Sequence, residues 1–303
     1  MIQRKKCPAC GSTQMRALLS LPYTEKLSPL GFGHPVLATA LRNIQFTVVQ
    51  CLGCTCIYQQ DVFDDHEAKI AYSQLWAGST GFLDISSNAH LVEEIIILKK
   101  LCHRADPQVL DFGAGGGHWL KHAQAWGCHA SACDIDISSL EACRRFGIHT
   151  LGLADLRPGS YDFINLSEVV EHLSDPQQIL TQLIEALKPG GYLKLSAPGD
   201  RRMLNKLASL AKSPENLGEG EMAHKFSAIE PLFHVNLFNA RSMKAMAALL
   251  GLEPLNISLL VSYSAVVLTD SWKQVNRNLY HPFKRWRSQG TWQYFKKPLQ
   301  STS

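Results

Sequence analysis

Two cysteine pairs carry the plainest chemistry. Cys7-Pro8-Ala9-Cys10 and Cys51-Leu52-Gly53-Cys54 each place two sulfurs on one tight turn, and four thiolates can close a tetrahedron around zinc. The 40 residues between the pairs exceed the usual finger spacing, and a loop insertion can absorb them. Cys56 could replace Cys54, although two intervening residues make the commoner knuckle. A closed four-thiolate set leaves no open coordination position, so the expected zinc is structural. A second centre is Val109-Leu110-Asp111-Phe112-Gly113-Ala114-Gly115-Gly116-Gly117. A strand feeding a glycine turn that opens a helix lets the backbone approach a ligand and offers it N–H donors. A dinucleotide-binding turn would want glycine where His118 stands. Asp134 comes 17 residues after Gly117, closing a second strand-like run, where a carboxylate can accept both hydroxyls of a ribose. Other groups read as ordinary. His118 and His122 are four apart, but no glutamate follows His118, which fits a solvated helix face. Cys102, Cys128, Cys133 and Cys143 fall in helix or strand patterns, as buried small residues do.

These residues need elements to hold them. Apolar residues at 91, 92, 95, 96, 98 and 101, after Ser87-Asn88, predict a capped helix that ends before Pro107. Strands are predicted at 108–112, 130–134, 148–151, 161–166 and 192–196, and helices at 118–126, 138–146, 176–187 and 240–250. Two β-rich runs over 254–270 read as a hairpin. Strands alternating with helices predict a parallel sheet covered on both faces.

The bulk properties set limits. The chain has 303 residues, 46% apolar and 18% charged, which supports a folded core and argues against disorder. The longest apolar stretch, 255–268, is interrupted by Asn256 and serines and is short of the roughly 20 residues of a membrane span. The basic start, Met1 to Cys7, lacks an apolar run, so no secretory signal is expected; the nine cysteines then read as thiols or ligands in a cytoplasmic protein. Net charge is +4, but residues 271–303 carry +7 with no acid, leaving −3 for the rest. We therefore expect a zinc-binding knuckle module over 1–62, an α/β domain over 63–270, and a basic, aromatic tail over 271–303. That tail interleaves its cations with Trp272, Tyr280, Phe283, Trp286, Trp292, Tyr294 and Phe295. Such a mixture can bind single-stranded nucleic acid, lie in an anionic membrane surface, or pack on the core with its cations outward.

The order Asp-x-Gly-x-Gly-x-Gly at 111–117, the acid at 134, the run Tyr161-Asp162-Phe163-Ile164-Asn165-Leu166-Ser167-Glu168, and Leu187-Lys188-Pro189-Gly190-Gly191-Tyr192 together resemble class I S-adenosylmethionine-dependent methyltransferases. The resemblance covers 108–196. It implies a Rossmann-like, seven-stranded, mostly parallel sheet with a terminal antiparallel hairpin, beside a small N-terminal zinc-ribbon-like module. It also implies donor binding by Asp111, Gly113, Ala114, Gly115 and Gly117, by Asp134 with Ile135 next to it, by Asp155 near the adenine, and by Ser167 and Glu168 near the methyl group. Glu171-His172 matches an E-H pair of the family. The knuckle further resembles zinc-knuckle sugar methyltransferases, which carry a tyrosine-x-Glu-His-x-x-x-Phe run where this chain has Pro231-Leu232-Phe233-His234-Val235-Asn236-Leu237-Phe238. His234 and Phe238 fit that run; Pro231 and Phe233 stand in place of its tyrosine and glutamate.

The resemblance implies catalysis by His234, with His172 and Glu171 as the second choice, on a polar small-molecule acceptor such as a sugar or nucleotide-sugar. Loss of both helper side chains argues against carbon methylation and leaves oxygen methylation open. One rival is an RNA methyltransferase using the knuckle and tail, although Asn165-Leu166-Ser167-Glu168 lacks the Pro-Pro-aromatic step of amino-methylating enzymes. Another rival, a non-catalytic scaffold, would have no need of a complete donor pocket.

Overall fold

Strand β1 (Ile2–Gln3) is followed by β2 (Met15–Pro22), α1 (Pro29–Phe32), α2 (Pro35–Leu41), β3 (Gln45–Cys51), β4 (Ile57–Gln59), β5 (Asp61–Val62) and α3 (Asp65–Leu75). Then come α4 (Ala89–Cys102), β6 (Gln108–Phe112), α5 (His118–Ala125), β7 (His129–Cys133), α6 (Ile137–Arg145), β8 (His149–Leu151), β9 (Tyr161–Ser167), α7 (Pro176–Ala186) and β10 (Leu187–Ser196). The chain continues through α8 (Met203–Lys212), β11 (Asn236–Leu237), α9 (Ala240–Leu249), β12 (Glu253–Leu255) and β13 (Trp292–Lys296). The computed structural model describes residues 1–25, 27–42, 44–75, 89–213, 226–257, 280 and 291–299. The predicted caps Ser87-Asn88 and most of 254–270 lie outside the described residues.

By contact the chain groups into two units that interleave along the sequence, rather than following one another across boundaries at 62 and 270. The first unit holds Met1–Ser79, Glu168–Gln178 and Ala197–Leu249. Its four-stranded antiparallel sheet runs β11-β4-β3-β2, and β1 pairs with β5. A sheet this small cannot bury its apolar face alone. Leu19, Phe46, Val48 and Ile57 are covered by Met203, Leu207 and Leu210 of α8 and by Phe226, Ile229, Leu232, Phe233 and Leu237. The knuckle region is thus completed by residues almost two hundred positions away.

The second unit holds Thr80–Ser167, Ile179–Ser196 and Leu250–Ser303. Its seven-stranded sheet has the order β12-β13-β10-β9-β6-β7-β8. Strands β10, β9, β6, β7 and β8 are parallel, and β13 is antiparallel to both of its neighbours. Parallel strands buried on both faces read as mostly apolar runs, and 108–112 and 161–166 are legible as strands although Asp111 and Asn165 interrupt them. Ile95 and Leu98 of α4 and Trp119, Leu120 and Ala123 of α5 close one core with Val109, Ala130, Ala132 and Phe163.

The terminal antiparallel pair corrects the reading of the tail. Trp292–Lys296 is an interior strand, with Tyr294 and Phe295 buried and Phe295 paired with Leu193 and Pro254. Lys297 donates to the carbonyls of Ile184 and Leu187, both at 2.7 Å. Part of the tail therefore belongs to the core, as a strand and not as a helix. Among the described residues no helix is long and apolar enough to cross a membrane.

Candidate functional site

In the second unit, β6 runs into the glycine turn and α5 leaves it. Gly113 N–H donates to the Cys133 carbonyl (2.8 Å), tying the turn to the end of β7. Gly115 N–H donates to one oxygen of Asp134 (2.8 Å), and Asp136 N–H donates to the other (2.9 Å). Each oxygen keeps a lone pair, so a carboxylate fixed this way can still accept two hydroxyls. Burial raises the Asp134 pKa. At Gly115 the backbone is left-handed (φ +49°), and an added Cβ would meet nothing within 4 Å, so the turn presents an open cradle. Gly117 is different: φ is +72° and a Cβ would strike Cys143 Sγ at 2.9 Å, so glycine there lets α6 close on the turn. Ala114 is buried with the α5 core, while Ile135 is 61% exposed beside Asp134. Asp155 is exposed and caps its own turn by accepting from Gly152 N–H (2.9 Å).

Asp111 is buried and accepts a bond from Asn165 Nδ2 (2.7 Å). Burial pushes its pKa up to about 7, against that hydrogen bond and the nearby Lys194 charge. Ser167 Oγ donates to Asn165 Oδ1 (3.1 Å) and accepts from Lys194, whose ammonium pairs with Glu94 at 3.0 Å. One buried polar chain thus runs from Glu94 to Asp111. Glu94, Lys194 and Asn165 were missed from sequence; the available signal was a polar residue interrupting each apolar run. Glu168, directly after β9, is exposed with φ +54°, a conformation that a side chain of this kind rarely adopts.

The first unit holds the other two clusters. The sulfurs of Cys7, Cys10, Cys51 and Cys54 all lie within 4.8 Å of one another, with Cys7–Cys54 and Cys10–Cys51 at 3.5 Å. Tetrahedral zinc at about 2.3 Å from each sulfur puts neighbouring sulfurs roughly 3.8 Å apart, so the residues fit the ion. The Cys7–Cys54 hydrogen bond holds the Cys7 pKa down and pushes that of Cys54 up. Cys56 is fully buried and points its sulfur at the carbonyls of Ile57 and Leu237, outside the set.

The second cluster joins the two histidines proposed for chemistry. The rings of His172 and His234 are 4.7 Å apart. His172 Nδ1 bonds the Phe233 carbonyl (2.9 Å) and His234 Nδ1 bonds the Ser227 carbonyl. Both contacts place the proton on Nδ1 and the lone pair on Nε2. Burial, reinforced by His234, lowers the His172 pKa to about 4; burial also lowers that of His234, against the Ser227 carbonyl. Glu171 is fully buried, its Oε1 3.8 Å from His172 Nε2, and among the described residues neither oxygen has a hydrogen-bond partner. Burial, with Glu168 adding to it, pushes its pKa up to about 9, so at neutral pH it is an uncharged acid. Glu171, His172 and His234 could together ligate a cation, each offering one atom within 4.8 Å of the others. Phe233, where the sugar enzymes have glutamate, buries its ring in the core and gives its carbonyl to His172.

Gln59 and Asn236, both fully buried, hold this cluster and were not anticipated. Gln59 Nε2 donates to the carbonyls of Glu230 (2.7 Å) and His234 (3.1 Å), and its Oε1 accepts from Leu232 N–H, a leucine at φ +72°. Asn236 Nδ2 donates to Val170 (3.1 Å) and Leu173 (2.7 Å), bracketing Glu171-His172.

A methyltransferase-domain family model matches residues 87–257, more than half of the chain. The ubiquinone biosynthesis O-methyltransferase of Idiomarina loihiensis is 32% identical over 103 residues, 29% of this chain and 41% of that protein. The corresponding protein of Albidiferax ferrireducens is 27% identical over 111 residues, 33% of this chain and 44% of its own length. The chain thus spans less than half the length of the curated relatives it matches. Among solved structures, YcgJ of Bacillus subtilis has a TM-score of 0.46 at 16% identity, covering 69% of this chain and 98% of its own. The plantazolicin methyltransferase BpumL, solved with S-adenosylhomocysteine, has a TM-score of 0.45 at 15% identity, covering 76% and 95%. With the family model spanning the glycine turn, the acid after β7 and the E-H pair, the chain belongs to the methyltransferase-domain family of S-adenosylmethionine-dependent enzymes.

Proposed function

We propose that the protein methylates a hydroxyl oxygen of a polar small molecule, with S-adenosylmethionine as donor. The carrying observation is the pair of imidazoles 4.7 Å apart, each with Nδ1 tied to a carbonyl. When bound, the donor supplies a methyl carbon already activated as a sulfonium. The chain's share is to hold the donor and relieve the acceptor of its proton. Asp134 accepts the ribose hydroxyls, the Gly113–Gly117 backbone and Asp111 take the amino-acid end, Ile135 offers an apolar surface to the base with Asp155 nearby, and Ser167 and Glu168 follow the strand that leads to the E-H pair. His234 Nε2 is the proton acceptor, and His172 with uncharged Glu171 supports it. The four cysteines hold structural zinc.

Oxygen methylation is favoured by the missing helper acid at Phe233 and fits the names of the curated relatives. A sugar hydroxyl is our first acceptor class. An RNA acceptor is less favoured, because Trp292, Tyr294 and Phe295 sit in the sheet and not on a basic surface. Radiolabelled donor offered to pooled sugars, pooled phenols and total RNA separates these classes.

Donor binding has its own test. In calorimetric titration with S-adenosylhomocysteine, wild type is expected to bind and Asp134→Ala to bind at least about tenfold more weakly, roughly 1.4 kcal/mol. Equal affinities would remove Asp134 from the donor site, and no binding by wild type would remove the donor site altogether.

A further inference from the structure

Arg4 is an unusual residue to find inside a protein. It lies three positions before Cys7, is 8% exposed, and among the described residues makes no ion pair with a carboxylate. All five of its N–H donors have acceptors. Nε and Nη2 reach the Gln59 carbonyl, Nη2 also reaches the Val235 carbonyl (2.8 Å), and Nη1 reaches Asn236 Oδ1 (2.6 Å) and the Ser174 carbonyl (3.4 Å). Its carbon Cζ sits 5.1 Å from the centre of the Tyr58 ring. Burial lowers its pKa to about 10, so it stays charged at neutral pH.

A buried charge with no carboxylate in ion-pair contact is a poor way to stabilise a core, since an apolar residue of similar size often does as well or better. What the guanidinium offers instead is a rigid planar fork. Here the fork joins three separate segments: the end of β4, the turn after Glu171-His172, and the residues directly after His234. Asn236 completes the link. Its Oδ1 accepts from Arg4, its Nδ2 donates to Val170 and Leu173, and its N–H donates to the Glu171 carbonyl (3.0 Å). The backbone on both sides of the histidine pair therefore hangs on one guanidinium–amide unit.

We propose that Arg4, acting through Asn236, is a positioning residue that sets the mutual placement of the His172 and His234 rings. The task matters for catalysis only under the function proposed above, but the placement can be measured without an acceptor. The experiment is proton–nitrogen NMR of the full chain labelled in histidine. His172 and His234 are assigned through His172→Gln and His234→Gln, and the exposed His129 and His149 serve as references. Lysine keeps the charge but cannot span the four acceptors. In Arg4→Lys both signals of the pair are expected to move by more than a line width while the references stay, and S-adenosylhomocysteine affinity should change by less than about twofold. Unmoved His172 and His234 signals overturn the proposal, and so does movement of all histidines together, which marks a general structural role. If Arg4→Lys does not fold, Asn236→Asp decides. It keeps the shape and the acceptor, gives Arg4 an anionic partner, and removes the donors to Val170 and Leu173. The His172 signal is then expected to move; a stationary one overturns the proposal. Failure of both variants to fold also overturns it, because the assigned task is local. None of these readings depends on turnover, so a failed base assignment and a failed strut are distinguishable.

Discussion

Cys10→Ser is expected to release one equivalent of zinc per chain and to unfold the first unit at markedly lower temperature. Four sulfurs within 4.8 Å of one another would hold zinc as thiolates, and serine at position 10 would leave the set one thiolate short. Loss of a structural metal belongs to the short list of changes that reach on the order of 4 kcal/mol. At about 2–4 °C per kcal/mol for a unit of this size, the melting temperature should fall by roughly 10 °C. Mass spectrometry of metal content and thermal unfolding provide the two readings. Cys56→Ser is the control, because its sulfur lies outside the four-cysteine set, bonding the carbonyls of Ile57 and Leu237 and touching the set only through Cys7. Wild type purified without chelators and lacking zinc would refute the assignment. If Cys56→Ser proves the damaging change, the fourth ligand was chosen wrongly. A further equivalent of metal that survives Cys10→Ser but not His234→Ala would belong to Glu171, His172 and His234.

What the sequence revealed divides along contact distance. The two Cys-x-x-Cys turns, the glycine run and the strand–helix alternation are written in neighbouring residues, and the structure places them where the pattern puts them. A parallel sheet was expected from the strand–helix alternation, and its seven strands from the resemblance over 108–196; their order was not read. Strand β13 was missed because Trp292–Lys296 breaks the alternation of a strand at Tyr294-Phe295, sits within a basic, aromatic stretch, and has its partners at 192–196 and 253–255. The antiparallel pair was sought in a local hairpin over 254–270, where local patterning is all that can be read. Arg4, Gln59 and Asn236 were illegible for the same reason. Arg4 meets Asn236 across 232 positions, and Gln59 meets His234 across 175. Nothing local distinguishes such an arginine from a solvated one. His172 and His234 were each singled out by motif, but their meeting depends on those unseen clamps.

His234→Ala is expected to lower turnover by about two orders of magnitude or more at neutral pH, close to 3 kcal/mol of transition-state stabilisation, with donor affinity nearly intact. The acceptor found in the radiolabel screen provides the assay. The reason lies in the tautomer: the Ser227 carbonyl holds the proton on Nδ1, which under the proposed function leaves Nε2 free to take the hydroxyl's proton. Burial disfavours the imidazolium, so the His234 pKa lies below the ordinary value of about 6.5. The base is neutral above its pKa. The wild-type rate should therefore hold as pH falls through 6.5 and decline only below it. His172, at about 4, remains neutral throughout this range and adds no second acid limb above it. Glu171 titrates at the other end. Its carboxyl is protonated until about pH 9, and above that a buried negative charge appears 3.8 Å from His172 Nε2. Glu171→Gln keeps the uncharged shape and should leave the rate near neutral pH unchanged within about twofold, while any alkaline change caused by that ionisation disappears. His172→Ala is the opposing test. If it abolishes turnover while His234→Ala keeps most of it, the E-H pair carries the proton and the base is misassigned. If both variants stay near wild type, the reaction relies on positioning alone, or the acceptor arrives already ionised. An acid limb at or above the ordinary imidazole value would mean that His234 is more solvated than its burial shows, and the argument from its neutral form would fail with it.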